Sequence, residues 1–337
     1  MLFSKNSQLI LRYANVFKNK KIFFSGNIQD HLPIYLSSIK TTLHISRKNN
    51  FYINQINTNK IYIYYNLLVS KEIVKNYNTL IYYWPKDKSE AIFQLCNLLS
   101  CFSIGTEVFI VGNNLSGVKS AIKILSKWIK LNKLENAKHS ILFSGILESK
   151  TTFILKNFFK THIWENLYIK CLPGVFGYKN IDLGSKLLAS TFSKNMKGEI
   201  LDVGCGSGIL SAYLLKKSPN SFLTMIDNKE SAILSSRETL YANNLKANVI
   251  LSDIYSNIEN KFDLIISNPP FHNDLKVSFS IIKSIITNSV KYLKRNGEIR
   301  FVVNKCFNYD SILKIKFKKY KIIETTNLYK VYQGLLN

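Results

Sequence analysis

Apolar and polar residues alternate along this chain in long, regular blocks. The second half is the clearer one. EILDVG (199–204), FLTMID (222–227), VILSD (249–253), FDLIIS (262–267) and EIRFVVN (298–304) are short apolar runs of strand length. Between them stand SGILSAYLLKKS, NKESAILSSRETLYANN and SFSIIKSIITNSVKYLKRNG, whose apolar positions recur at helical spacing. Gly297 stands where the last of these helices is expected to close. YKIIETT and YKVYQG near the end predict a final pair of strands. Buried strands alternating with helices predict an α/β fold with a mostly parallel, doubly wound sheet.

The first half carries a muted version of the same order. TLIYYWPKDK (79–88) resembles FDLIISNPPFHND (262–274), an apolar strand ended by proline. EVFIVGNN (107–114) parallels GEIRFVVN, and KIFFSGNIQDHLPIYL (21–36) sits where EILDVGCGSGILSAYL sits in the second half. The copy keeps one glycine, Gly26, and has Trp84 where Asn268 is expected. The expectation is two tandem Rossmann-like domains, the N-terminal one degenerate, over residues 1–162 and 163–337. A chain of 337 residues is long enough for two cores.

Two strand ends carry the chemistry. Asp202-Val203-Gly204-Cys205-Gly206-Ser207-Gly208 follows a strand and opens a helix. The dinucleotide pattern G-x-G-x-x-G is broken, because Ile209 holds the place of its third glycine. G-x-G-x-G with an acid two residues before it is the spacing of S-adenosylmethionine (SAM) methyltransferases. Asp202 can answer the positive charge or the amino group of such a ligand. Asp227 ends the next strand, where an acid takes ribose hydroxyls, and Asp253 ends the third, where a carboxylate can accept from the adenine amino group.

The fourth strand ends in Asn268-Pro269-Pro270-Phe271. Proline cannot donate a ladder hydrogen bond, so the strand stops at about Ser267. An exocyclic amine on a base is a poor nucleophile, because its lone pair is delocalised into the ring. The Asn268 amide oxygen and the Pro269 carbonyl can accept its N–H groups, the prolines fix both acceptors, and Phe271 can stack on the flat base. This chemistry is positioning and electrostatics, with no metal and no covalent intermediate.

Composition bounds the rest. The formal charge is +25, 46 Lys and Arg against 21 Asp and Glu. Two readings stand: a polyanionic partner such as nucleic acid, or a compositional bias, since only five of the basic residues are Arg and Lys, Asn and Ile crowd the whole chain. The five cysteines are scattered, with no C-x-x-C pair, so neither zinc nor a disulfide framework is indicated. No apolar run spans a bilayer, and the first residues lack a signal-peptide pattern, so a reducing cytoplasm is expected.

SNPPFHND, DVGCGSG, YYWPKDK, VGNNLSGV and LPGVF together resemble the ribosomal RNA small subunit methyltransferase C family, the bacterial 16S rRNA guanine-N2 methyltransferases. N-P-P-F alone is shared with many amine methyltransferases; the first-half motifs make the likeness specific. The resemblance implies SAM as methyl donor and N2-methylguanine in 16S rRNA of the small ribosomal subunit as product. It implies Asp202, Gly204, Gly206, Gly208, Asp227 and Asp253 around the cofactor, and Asn268, Pro269, Pro270 and Phe271 at the base. It also implies a first domain that supports folding and RNA docking. No membrane or metal enters this reading, and the oligomeric state is left open. IDLGSKLLAS (181–190) departs from the family in carrying Lys186 where relatives carry a neutral amide, in a segment expected beside the methionine end of SAM. Other amine methyltransferases, acting on DNA adenine N6 or on protein glutamine N5, and a non-catalytic RNA-binding assembly factor are the rival readings.

Overall fold

The structure is a computed structural model describing residues 3–36, 38–47, 61–269 and 275–336. The chain divides into two compact units, Met1–Phe158 and Phe159–Asn337.

In the first unit, β1 (Lys21–Gly26), β2 (Lys40–Ile45), β3 (Ile61–Tyr65), β4 (Thr79–Tyr83), β5 (Glu107–Asn113), β6 (Asn132–Ala137) and β7 (Ser140–Ile146) form one sheet in the order β3-β2-β1-β4-β5-β7-β6. In the second, a hairpin of β8 (Lys160–Trp164) and β9 (Leu167–Cys171) precedes β10 (Gly198–Val203), β11 (Ser221–Asp227), β12 (Asn248–Leu251), β13 (Phe262–Ser267), β14 (Leu293–Asn304), β15 (Lys319–Thr325) and β16 (Tyr329–Leu335). These last seven run β12-β11-β10-β13-β14-β16-β15, which is the same order strand for strand. In each sheet five parallel strands are followed by an antiparallel pair. The helices used below are α1 (Lys5–Leu11), α2 (Lys88–Cys101), α3 (Leu183–Ser190), α4 (Ile209–Lys217), α5 (Glu230–Ala242) and α6 (Leu275–Tyr292).

The central strands, β1, β4 and β5 in the first sheet and β10 and β13 in the second, are apolar on both faces because both faces are covered. Along β10, Ile200 joins a core with Leu210 and Leu214 of α4 and Leu188 of α3. Leu201 and Val203 point the other way, into a core with Ile282, Ile285 and Ile286 of α6. Asp202 therefore falls on the Ile200 face, under α4.

Two expectations are corrected here. The last long helix ends at Tyr292, and β14 starts at Leu293, well before Gly297. The register jumps from Phe262↔Leu293 to Leu264↔Glu298, so residues 294–297 form a bulge. Asn296 takes the positive φ of +61°. A Cβ on Gly297 would lie 2.8 Å from Lys294 O and 3.1 Å from Phe262 O, so this glycine serves close strand packing and does not cap a helix. Gly26 also shifts. It pairs with Tyr83, whereas Val203 pairs with Ser267, so with Trp84 set against Asn268 the surviving glycine matches Val203 and Ser25 matches Asp202.

Candidate functional site

The glycine loop is shaped by backbone that side chains would strain. Gly204, Gly206 and Gly208 have φ of +77°, +57° and +78°. Gly204 N and Cys205 N both donate to Ile226 O, at 2.8 and 2.9 Å, which folds the loop back against β11. A Cβ on Gly208 would stand 3.0 Å from Met225 Cε and 3.2 Å from Ser236, so the third glycine lets α4 start close to its neighbours. A Cβ on Gly204 would meet nothing within 4 Å. That exposed glycine faces the space a ligand can enter. The loop is held from outside as well: Ser236 Oγ donates to Gly206 O at 3.0 Å, and Lys229 Nζ to Gly174 O at 2.7 Å, in the segment that passes over Gly206.

The acids differ in their surroundings. Asp227 is half-buried and its carboxylate already accepts from Gly206 N and Lys229 N, each at 3.0 Å. Asp253 is half-buried two residues past β12, its N–H on Ser256 Oγ at 3.1 Å. Asp202 is fully buried. Its Oδ2 accepts from Ser211 Oγ of α4 at 2.7 Å, while its Oδ1 is buried with no partner. Burial pushes this carboxyl up to about 7, the Ser211 hydrogen bond holding it lower and Asp227 pushing it further. Cys205 is buried too, and desolvation with the two nearby acids pushes its thiol well up. It stays protonated at neutral pH and is no nucleophile.

Asn268 is the first residue past β13 and is 8% exposed. Ser267 Oγ ties the strand end to Val203 O at 2.7 Å. Asn268 Nδ2 donates to Asp182 Oδ2 and to Ser185 Oγ, both at 2.8 Å. Its Oδ1 is buried and has no partner among the described residues. A buried amide oxygen without a donor is costly, on the order of 1–3 kcal/mol. Two such acceptors, on Asp202 and Asn268, stand on adjacent strands.

Asp253, Asp227, Asp202 with the three glycines, and Asn268 with buried Pro269 thus lie along the carboxyl edge of four neighbouring parallel strands, β12-β11-β10-β13. Ligands of open α/β sheets bind at that edge. The residue set fits SAM: an open glycine turn, an acid at the end of the second strand, and an unsatisfied buried carboxylate oxygen. Pro270 and Phe271 lie outside the described residues. Lys186 is exposed on α3. Asp182, Ser185, Ser211 and Ser236 were not legible from spacing; Asp182 and Ser185 lie 86 and 83 residues before the amide that they hold.

Residues 7–162 match the model of the methyltransferase small domain N-terminal family, and residues 166–333 that of the methyltransferase small domain. A ribosomal RNA small subunit methyltransferase C of Buchnera aphidicola subsp. Schizaphis graminum is 60% identical over all of both chains. The protein of that name from Pectobacterium atrosepticum is 38% identical, over 97% of this chain and 94% of its own. The chain belongs to the ribosomal RNA small subunit methyltransferase C family. Among solved structures, the 16S rRNA N2-guanine methyltransferase of T. thermophilus, in complex with AdoMet and guanosine, shares the fold with a TM-score of 0.79 and 17% identity, over 95% of this chain and 88% of that one. The family is thus a SAM-dependent methyltransferase family built of two tandem α/β units. Among the described residues no three His, Cys, Asp or Glu cluster as metal ligands, and no helix is long and apolar enough to cross a membrane.

Proposed function

We propose that this chain transfers a methyl group from SAM to the exocyclic N2 of one guanine in 16S rRNA of the small ribosomal subunit, in the cytoplasm. The observation that carries the reading is the Asn268 amide oxygen, buried, unpartnered and beside an open glycine turn. Full-length identity of 60% to a relative named as a ribosomal RNA small subunit methyltransferase supports it.

When bound, SAM supplies a methyl group on a cationic sulfur. Gly204, Gly206 and Gly208 let the adenosine and methionine parts lie close to the backbone. Asp227 takes ribose hydroxyls, Asp253 the adenine amine, and the free oxygen of Asp202 the cationic amino end. Asn268 Oδ1 accepts one N–H of the base amine and the Pro269 carbonyl the other. Held this way, the nitrogen turns its lone pair out of conjugation and towards the methyl group. Phe271 stacks on the ring. SAM would supply the methyl group and take the bonding pair on its sulfur, while Asn268 Oδ1 and the Pro269 carbonyl would hold the nitrogen and let its proton pass to solvent. The contribution of Asn268 is made mostly in the transition state, where positive charge grows on nitrogen. A base in a duplex is unstacked before it reaches such an edge. The first unit supports folding and RNA docking.

The test is product identity. Purified protein, labelled SAM and unmodified small subunits are incubated, and the rRNA is digested to nucleosides for mass spectrometry. Label in N2-methylguanosine supports the reading. Label in another nucleoside, or in protein alone, refutes the assigned substrate.

A further inference from the structure

Asparagine is ambiguous at a base-binding site. Its side chain offers an acceptor on one side and two N–H donors on the other, and a flip exchanges them. An amine in the pocket needs the acceptor; a ring carbonyl such as guanine O6 needs the donor. Here the ambiguity is removed. Both Nδ2 hydrogens of Asn268 are spent, one on Asp182 Oδ2 and one on Ser185 Oγ, each at 2.8 Å. Flipping the amide would set its oxygen against a carboxylate oxygen and would leave the two hydrogens without these partners.

The pair is itself built in. Asp182 is the N-cap of α3, where its Oδ2 also accepts from Ser185 N at 2.7 Å. Ser185 is buried. A Cβ on Gly184 would lie 2.9 Å from the same Oδ2 and 3.5 Å from the Tyr329 ring, so glycine keeps the space in which the carboxylate sits. One helix start therefore fixes both its own first turn and the amide 86 residues later.

We infer that Asp182 and Ser185 are positioning residues that lock Asn268 as an acceptor, making the pocket selective for an exocyclic amine. The lock acts in two ways. It orients Oδ1 before substrate arrives, so no reorientation cost falls in the reaction. The charge of Asp182, on the N–H side, also polarises the amide and makes Oδ1 a stronger acceptor. The inference deepens the guanine-amine reading and rests on it for the identity of the amine.

Rescue tests the lock. Asn268→Asp alone sets two carboxylates against each other and is expected to lose methyl transfer by about 10³-fold. Adding Asp182→Asn removes the repulsion: an amide nitrogen in the place of Oδ2 donates to the new carboxylate and leaves an acceptor facing the pocket, at the expense of the cap bond from Ser185 N, and at least about tenfold of the rate returns. Ser185→Ala lowers kcat by about tenfold with KM for small subunits and SAM affinity within about twofold, because the lost term belongs to the transition state. A swap no better than Asn268→Asp, or a Ser185→Ala enzyme of unchanged kcat, overturns the inference. Selectively labelled protein gives a readout that needs no substrate: the Asn268 side-chain amide protons exchange slowly by NMR in the parent chain and faster in Ser185→Ala. Fast exchange in the parent overturns the lock. Label on a nucleoside other than N2-methylguanosine, with slow exchange retained, overturns the substrate and leaves the lock standing.

Discussion

The two units repeat one strand order and end their sheets in opposite chemical states. In the second, two strand ends are left unsatisfied: among the described residues, Asp202 Oδ1 and Asn268 Oδ1 are buried acceptors without donors. In the first, the matching positions are closed. Ser25, at the place of Asp202, shares a 2.9 Å hydrogen bond with His44 Nδ1, and His44 Nε2 bonds Asn66 O at 2.9 Å. Trp84, at the place of Asn268, is 3% exposed, and its Nε1 donates to Ser116 O at 3.1 Å. A Cβ on Gly112 would come within 2.8 Å of the Trp84 Cβ and 2.9 Å of the Val118 Cβ, so this glycine leaves the room those two side chains take. The helix after β1 is one turn, Leu32–Tyr35, against Ile209–Lys217 after β10. The topology alone confers no site. What separates the two edges at these two matched strand ends is whether the buried polar atoms there are satisfied from within.

The largest expected break in this contrast is Asn268→Ala. Methyl transfer should fall by about 10²–10³-fold while calorimetric SAM affinity barely moves. Near-normal turnover would refute the role given to that oxygen. In the first unit, Trp84→Ala should cost about 3–5 kcal/mol of stability in urea unfolding, the cost of emptying a filled core position. A cost under about 1 kcal/mol would mean that the indole is no plug.

Titration sharpens the comparison, because the two edges respond to pH in opposite directions. Asp202 is raised to about 7, so the folded chain without ligand holds a proton that the unfolded chain releases near pH 4. Stability from this group falls as pH rises from about 4 to about 7, by on the order of 4 kcal/mol when fully ionised. Asp202→Asn should flatten that fall, and it should also weaken SAM, whose cationic amino end loses its partner. His44 is lowered by burial to about 4, with the Asn66 hydrogen bond opposing the shift. Its stabilisation is complete above about 6.5 and is lost as pH falls from there to about 4. Unfolding of the parent chain and of Asp202→Asn across pH 4–8 reads both slopes, the variant leaving that of His44 and the difference giving that of Asp202. Slopes of the same sign would contradict the contrast. The smallest effect is ionic: activity on small subunits should fall with salt if lysines contact phosphates, and a flat response would make the +25 charge compositional.

Much of this was written in the sequence, for identifiable reasons. Parallel strands covered on both faces read as unbroken apolar runs, so β10, β11 and β13 stood out. Glycines needing positive φ, and prolines that stop a strand, marked the two ligand-facing turns locally. The bulge at Asn296 and Gly297 was misread as a helix end, because a glycine after a lysine-rich turn serves either purpose and only the β13–β14 register decides. The Asp182–Ser185 hold on Asn268 left no local trace, since a D-x-x-S capping pattern looks the same whether or not a distant amide shares its carboxylate. Ser25 likewise looked unremarkable until strand pairing put it where Asp202 stands.

The central claim is that only the unsatisfied edge binds the cofactor. Titrating purified chain with SAM by calorimetry tests it directly. The account predicts one equivalent per chain, with affinity weakened by about 10- to 100-fold in Asp227→Ala, since each charge-assisted hydrogen bond contributes roughly 1.5–3 kcal/mol. Two equivalents, or one whose affinity ignores Asp227→Ala, would contradict it.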